Sequence, residues 1–257
     1  MYTLGREQSF QAIAEAGYEL VELSAGPPHL DLSELSHAEM ASLGSELERH
    51  HLRCVSINPI ELNPISSNAE LANATYRQYR SAIELAAELG AASVVMITGR
   101  RSPLIPMPEA QAKDLLRAHL HRLLPVAAKL GVTLTLEPVP YGFLQTASEV
   151  SSFIEEFEFD GLGITVDCAN SFFAGADPAD ELRANAALVK LVHISDSWRE
   201  RWAHVQIGRG EIDFRAVADA LREIGYAGPT VYELVDGEDP AARFQTDRVP
   251  LLGWGWR

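Results

Sequence analysis

The sequence predicts a (β/α)8 TIM barrel, a closed parallel sheet of the α/β class ringed by helices, on three observations. The chain has 257 residues and 47% hydrophobic content, close to the ~250 residues typical of that fold and enough to bury a large core. Short apolar runs alternate with amphipathic helical stretches along the chain, and strict alternation implies parallel strands joined by helical crossovers. Nearly every apolar run ends on a polar residue, as expected where chemistry gathers at the C-terminal ends of barrel strands. No low-complexity segment or composition break divides the chain, so residues 1–257 read as a single domain.

Residues 1–4 read as the tail of a first strand, short or truncated at its start. The stretch Ala16-Gly17-Tyr18 then marks a helix end feeding a strand, because glycine takes the left-handed position after a helix at no steric cost. The same punctuation recurs at Gly90, Gly131 and Gly225. Apolar runs bounded by these signals predict strands over 18–23, 53–58, 93–98, 133–137, 162–167, 189–194 and 230–233, which with residues 1–4 make eight. The clearest helical patterns between them cover 69–89, 108–130, 146–157 and 214–224, while Pro103, Pro106 and Pro108 mark one longer loop. A doubly wound open sheet also alternates, but it carries a glycine-rich phosphate turn after its first strand, and Leu4-Gly5-Arg6-Glu7 is not one.

A net charge of −15 disfavours nucleic acid as a partner, since that binding rests on clustered Lys and Arg releasing counterions from phosphates. A small-molecule substrate is expected instead. The two cysteines, Cys54 and Cys168, are too few for a disulfide framework and lack the paired spacing of a thiolate zinc site, so a reduced, cytoplasmic compartment is expected. The opening Met1-Tyr2-Thr3-Leu4-Gly5-Arg6 lacks a basic-then-apolar leader pattern, and no apolar run approaches the ~18 residues that span a bilayer. No membrane partner is expected.

Glu22, Asn58, Thr98, Glu137, Asp167, His193 and Glu233 each stand at or beside the end of an otherwise apolar run. A solvated strand end or a helix N-cap explains any one of them equally well. Four convergent ligand types at the last four strand ends are harder to explain that way. Three carboxylates brought together by barrel closure repel one another unless a cation neutralises them. Oxygen ligands from Glu137, Asp167 and Glu233 with one imidazole nitrogen from His193 suit a single divalent ion, Mn²⁺, Mg²⁺, Co²⁺ or Zn²⁺. Cys168, next to Asp167, is expected simply to be packed.

The runs Leu134-Thr135-Leu136-Glu137-Pro138, Ile164-Thr165-Val166-Asp167, Val192-His193-Ile194-Ser195-Asp196-Ser197, Gly208-Arg209-Gly210-Glu211-Ile212-Asp213-Phe214 and Val231-Tyr232-Glu233-Leu234 resemble those of the xylose isomerase-like sugar phosphate isomerase/epimerase family. The resemblance covers essentially the whole chain. With the opening Gly17-Tyr18-Glu19-Leu20-Val21-Glu22 it looks most like inosose isomerases, with ketose 3-epimerases more distant. Each run is short; their order and strand-end positions carry the signal. The resemblance implies that Glu137, Asp167, His193 and Glu233 ligate the metal and that Glu137 and Glu233 form the acid/base pair. It likewise implies that Arg199, in the loop after His193, binds substrate oxygens. The implied activity is isomerisation or epimerisation of a small keto-sugar or keto-cyclitol by proton transfer through an enediolate. Many relatives carry a His where this chain has Asn170, which keeps a hydrogen-bond donor but not a titratable group. Ketose 3-epimerases carry an Asn-Arg pair and a second Glu after the catalytic Glu, whereas this chain has Pro138-Val139-Pro140-Tyr141-Gly142-Phe143, which argues against a free ketohexose substrate.

Among the remaining candidates, His204 reaches toward substrate or is a solvated loop histidine. Trp198 and Trp202 wall the pocket, or equally anchor a loop or a subunit contact in a homo-oligomer. His50, His51, His119 and His121 fall on helices or their ends, where solvated faces explain them. Gly208-x-Gly210 is more economically a turn than a phosphate site. A metal-dependent dehydratase of a keto-polyol, of inosose or dehydroshikimate type, is the close alternative because α-proton abstraction followed by loss of a β-hydroxyl uses the same groups. An apurinic endonuclease-like nuclease is a distant one: those enzymes carry a multi-zinc cluster needing more histidines, and both Asn170 and the charge of −15 count against it. A silent binding module also stays open, since fold alone does not establish activity.

Overall fold

The computed structural model describes residues 4–26, 30–33, 35–102, 104–235 and 240–255, the first two residues of the last stretch by backbone alone. Its elements follow in the order α1 (Arg6–Glu15), β1 (Leu20–Ala25), α2 (His37–Arg49), β2 (Arg53–Pro59), α3 (Ala69–Leu89), β3 (Ser93–Ile97), α4 (Glu109–Leu130), β4 (Thr133–Glu137) and α5 (Ala147–Glu156). They continue with β5 (Leu162–Asp167), α6 (Cys168–Phe173), α7 (Pro178–Ala184), β6 (Val189–Ile194), α8 (Phe214–Glu223), β7 (Thr230–Tyr232) and α9 (Pro240–Gly253). The strands hydrogen-bond in sequence order, each parallel to the next.

Local chemistry explains the boundaries. Asn68 caps α3 by accepting from the N–H groups of Glu70 and Leu71 at 2.9 and 3.2 Å. Ser36 with Glu39, and Thr146 with Glu149, form reciprocal capping boxes at the starts of α2 and α5. Gly17, Gly90, Gly131 and Gly225 all adopt positive φ after helices, as the sequence predicts. Val94, Met96, Leu134, Leu136, Ile164, Val166 and Val192 are completely buried, because a parallel sheet ringed by helices has both faces covered and its strands read as nearly unbroken apolar runs.

Parallel register carries polar residues of neighbouring strands to one rim, Glu137 and Asp167 from strand ends and Glu22 from within β1, which runs on past the expected Leu23 to Ala25. Glu22 lies opposite Ser56, Ile97 opposite Glu137, and Asp167 opposite His193. Among the described residues the sheet runs from β1 to β7, and between those two strands lies a cavity of about 680 Å³. Val21 and Leu23 line one side, Val231 the other, and Phe10, Phe244 and Leu251 of the flanking helices close it. The strand expected over residues 1–4 falls mostly outside the described residues, and Leu4 itself is in a bend.

Two expectations are corrected. β1 begins at Leu20 rather than Tyr18, because the Tyr18 ring packs edge-on against Phe244 and its hydroxyl donates to Phe244 O at 3.2 Å, tying it to α9. His119 is not on a solvated face: it is 5% exposed and its Nδ1 has no hydrogen-bond partner. It shares the buried stripe of α4 with Leu116, Leu120 and Leu123. No helix among the described residues is long and apolar enough to cross a membrane, and both cysteines are free and buried.

Candidate active site

Glu137 closes β4, Asp167 closes β5 and His193 lies one residue before the end of β6. Glu233 follows β7, its N–H still donating to Ile194 O at 3.0 Å, so the backbone pairing of the sheet delivers it to the same rim. One candidate ligand atom from each of the four side chains lies within 4.8 Å of all the others. His193 is fully buried at the centre. Its Nδ1 is 3.1 Å from Glu137 Oε1, 3.3 Å from Glu233 Oε2 and 3.9 Å from Asp167 Oδ2.

Asp167 divides its two oxygens between structure and site. Oδ1 caps α6 by accepting from the Asn170 N–H at 2.6 Å, whereas Oδ2 is buried with no hydrogen-bond partner. A buried carboxylate oxygen without a donor is costly unless a charge compensates it. Burial, reinforced by Glu233 and Glu137 and partly offset by His204, pushes the Asp167 carboxyl up to about 7. Burial also raises Glu137, with the His193 contact opposing it. For Glu233 the same burial is outweighed by the bond to His193 and the charges of His204 and His193, which bring it down to about 2. For His193 burial disfavours the charged ring, but Glu22 and Glu137 hold it well above the ordinary histidine range. Three hard oxygen donors, one of them the orphaned Asp167 Oδ2, and one imidazole fit a divalent cation, which would neutralise the charge these groups bring together.

The other expected site residues are placed as follows. His204 stands beside the cluster, with Nδ1 2.9 Å from Ser195 Oγ and 3.8 Å from both Asp167 Oδ2 and Glu233 Oε2. Asn170 is buried with both ends of its amide engaged, Nδ2 donating to Pro138 O at 3.3 Å and Oδ1 accepting from Trp202 Nε1 at 2.9 Å. Arg199 turns its guanidinium to α6: Nη1 donates to Phe172 O at 2.5 Å and to Ala176 O at 2.9 Å, over the Phe172 ring at 3.7 Å. That engagement ties the loop after β6 to the loop after β5.

Three features go further than the sequence reading of Trp202 as a wall and Gly208-x-Gly210 as a turn. Exposed Tyr141, in the left-handed region at φ 60, meets Phe173 at 5.7 Å and Trp202 at 6.3 Å, while Trp202 lies 6.0 Å from the His204 ring. This makes an aromatic wall from two loops and the end of α6. Asp196 accepts from the N–H groups of Ser197, Gly208, Gly210 and Ile212 at 2.8 to 3.1 Å, so the glycine pair closes a loop on a buried carboxylate rather than cradling phosphate. A side chain at Gly210 would collide with Asp196 and with Ser197 O. Glu22, noted only as a strand end, contacts the far side of His193.

The chain is similar to known proteins in sequence and in fold. The chain is 27% identical over 236 residues to the ketose 3-epimerase of Arthrobacter globiformis, covering 89% of this chain and 77% of that one. A D-tagatose 3-epimerase-like protein superposes with a TM-score of 0.83 at 26% identity, covering 97% of this chain and 94% of the other. The IolI protein with a bound zinc atom shares the fold at a TM-score of 0.81 and 20% identity, over 98% of this chain and 93% of its own. The family model of the xylose isomerase-like TIM barrel matches residues 10–248, and the chain belongs to that family.

Proposed function

We propose that this protein is a divalent-metal-dependent isomerase or epimerase of a small keto-sugar or keto-cyclitol. The observation that carries the proposal is the four-residue cluster of Glu137, Asp167, His193 and Glu233, in which one ligand atom of each lies within 4.8 Å of the rest. Its similarity to sugar 3-epimerases over most of the chain supports the substrate class.

In this reading Glu137, Asp167, His193 and Glu233 hold the cation. When bound, a divalent ion supplies Lewis acidity that offsets negative charge developing on a carbonyl oxygen as the neighbouring carbon loses its proton. Glu137 and Glu233 come from strands three apart and take and return that proton through their carboxylates. Asp167 is held by its cap to α6, so its second oxygen points where a cation is needed. His204, bonded to Ser195, borders the same space and orients a substrate hydroxyl. Tyr141, Phe173 and Trp202 supply an apolar wall against the C–H face of a polyol and restrict water. Asn170 serves the site through Trp202, whose indole it fixes.

Incubation of the metal-loaded protein with a panel of ketohexoses, ketopentoses and inososes, followed by chromatography and mass analysis, tests the proposal. Conversion to a product of unchanged mass is expected. A product lighter by one water would instead make the protein a dehydratase.

A further inference from the structure

We infer that Glu22 is a positioning residue that fixes the tautomer of His193, leaving Nδ1 as the nitrogen free to ligate. The inference rests on the metal site proposed above and adds to it a carboxylate from the opposite end of the sheet.

The two nitrogens of the buried His193 ring face different groups. Nδ1 looks into the cluster, with Glu137 and Glu233 at 3.1 and 3.3 Å. Nε2 is 3.1 Å from Glu22 Oε2. A ligating imidazole offers the lone pair of one nitrogen while the other carries the proton, and whatever accepts that N–H selects the tautomer. Glu22 is the acceptor in position to do so.

Glu22 is itself held. Ser56 Oγ donates to its Oε2 at 2.5 Å and Asn58 Nδ2 donates to its Oε1 at 3.1 Å. Both donors sit on β2, with Ser56 directly opposite Glu22 and the β1–β2 register shifting between Val21 and Glu22. The shift, the hydroxyl and the amide together aim the carboxylate inward, and its side chain is only 5% exposed. A solvated strand end would need no such bracing. The site contact spans 171 residues of sequence, so it links the first described strand to the sixth. Ionised carboxylates accept hydrogen bonds about twice as strong as neutral acceptors do, which suits a group that must hold one ring orientation against three other acids.

The test uses the full chain loaded with Zn²⁺ and labelled with ¹⁵N-imidazole histidine. In the wild type the His193 ring should show a proton on Nε2 and a metal-shifted Nδ1, a readout that depends on no variant. Calorimetric titration with Zn²⁺ and Mn²⁺ should then show affinity about 10–100-fold weaker in Glu22→Ala, the usual cost of losing an outer partner. Glu22→Gln, which keeps an acceptor oxygen and the side-chain volume, should fall between Ala and wild type. Circular dichroism and melting confirm that each variant is folded. The inference is overturned if the proton is on Nδ1, or if a folded Glu22→Ala binds metal within twofold of wild type. A wild type that binds neither metal would overturn the ligand set itself, which separates the two failures.

Discussion

Asp167 and His193 sit directly opposite one another on β5 and β6, yet Asp167 Oδ2 and His193 Nδ1 remain 3.9 Å apart, and that buried oxygen has no hydrogen-bond donor. The two side chains flank a space instead of bonding across it. Removing the carboxylate at this point should therefore cost metal affinity far more than fold. Asp167→Asn keeps a cap oxygen for α6 and is expected to melt close to wild type while binding Mn²⁺ or Zn²⁺ about 100-fold more weakly or worse, beyond the range for outer partners. Calorimetry and thermal melts check both halves.

The same pair sets the pH dependence of metal uptake. Asp167 is raised from 3.8 to about 7 and His193 is raised as well, so below about pH 7 both hold protons that a cation must displace. Both shifts have the same sign: affinity should rise with pH through neutrality and fall as pH drops. Calorimetric titrations in buffers of different ionisation enthalpy should show proton release at pH 6. A pH-independent affinity between 5.5 and 8, on the order of one value throughout, would contradict this reading.

Arg199 donates twice to carbonyls flanking the end of α6. Because the side chain is largely exposed, Arg199→Ala is expected to cost only about 1 kcal/mol, a fall of ~2–4 °C in Tm, with metal affinity unchanged. An unchanged Tm with a tenfold rise in KM, on the order of 1.4 kcal/mol, would make the residue a substrate contact instead.

His119 offers a stability test remote from the site. Burial, helped by Arg122, lowers its pKa below the ordinary 6.5. The unfolded chain then takes up a proton that the fold resists, so stability should decline as pH falls below about 6.5. His119→Leu should flatten that part of the profile and leave stability at pH 8 equal or higher, read by urea melts across pH. An unchanged acid limb would show that the ring titrates freely.

How far the sequence exposed all this depends on range. Glu137, Asp167, His193 and Glu233 were legible because each ends an apolar run and a parallel sheet must gather such ends on one rim. Glu22 was visible in the same way, but its pairing with His193 needed the sheet to bring residues 171 apart together. His119 was misread although the signal was present: it lies three residues after Leu116 and four before Leu123, on the apolar face of α4. Arg199 gave no local sign of where its guanidinium would turn, since loop geometry alone decides whether it meets Phe172 O or a ligand. Trp202 was read as a pocket wall or a loop anchor, but its partners Tyr141 and Phe173 were hidden, because two loops and the end of α6 share no periodicity.

The most direct test of the proposed chemistry is deuterium exchange at the carbon beside the carbonyl, followed by NMR and mass spectrometry in D₂O with metal-saturated protein and a keto-polyol it turns over. Wild type should place solvent deuterium at that carbon as the epimer or isomer appears. Glu137→Gln and Glu233→Gln, folded and saturated with metal, should each slow the exchange by about 10²–10⁴-fold, the usual contribution of a positioned acid or base. Undiminished exchange in both variants, or in protein stripped of metal, would contradict the assignment of these two carboxylates.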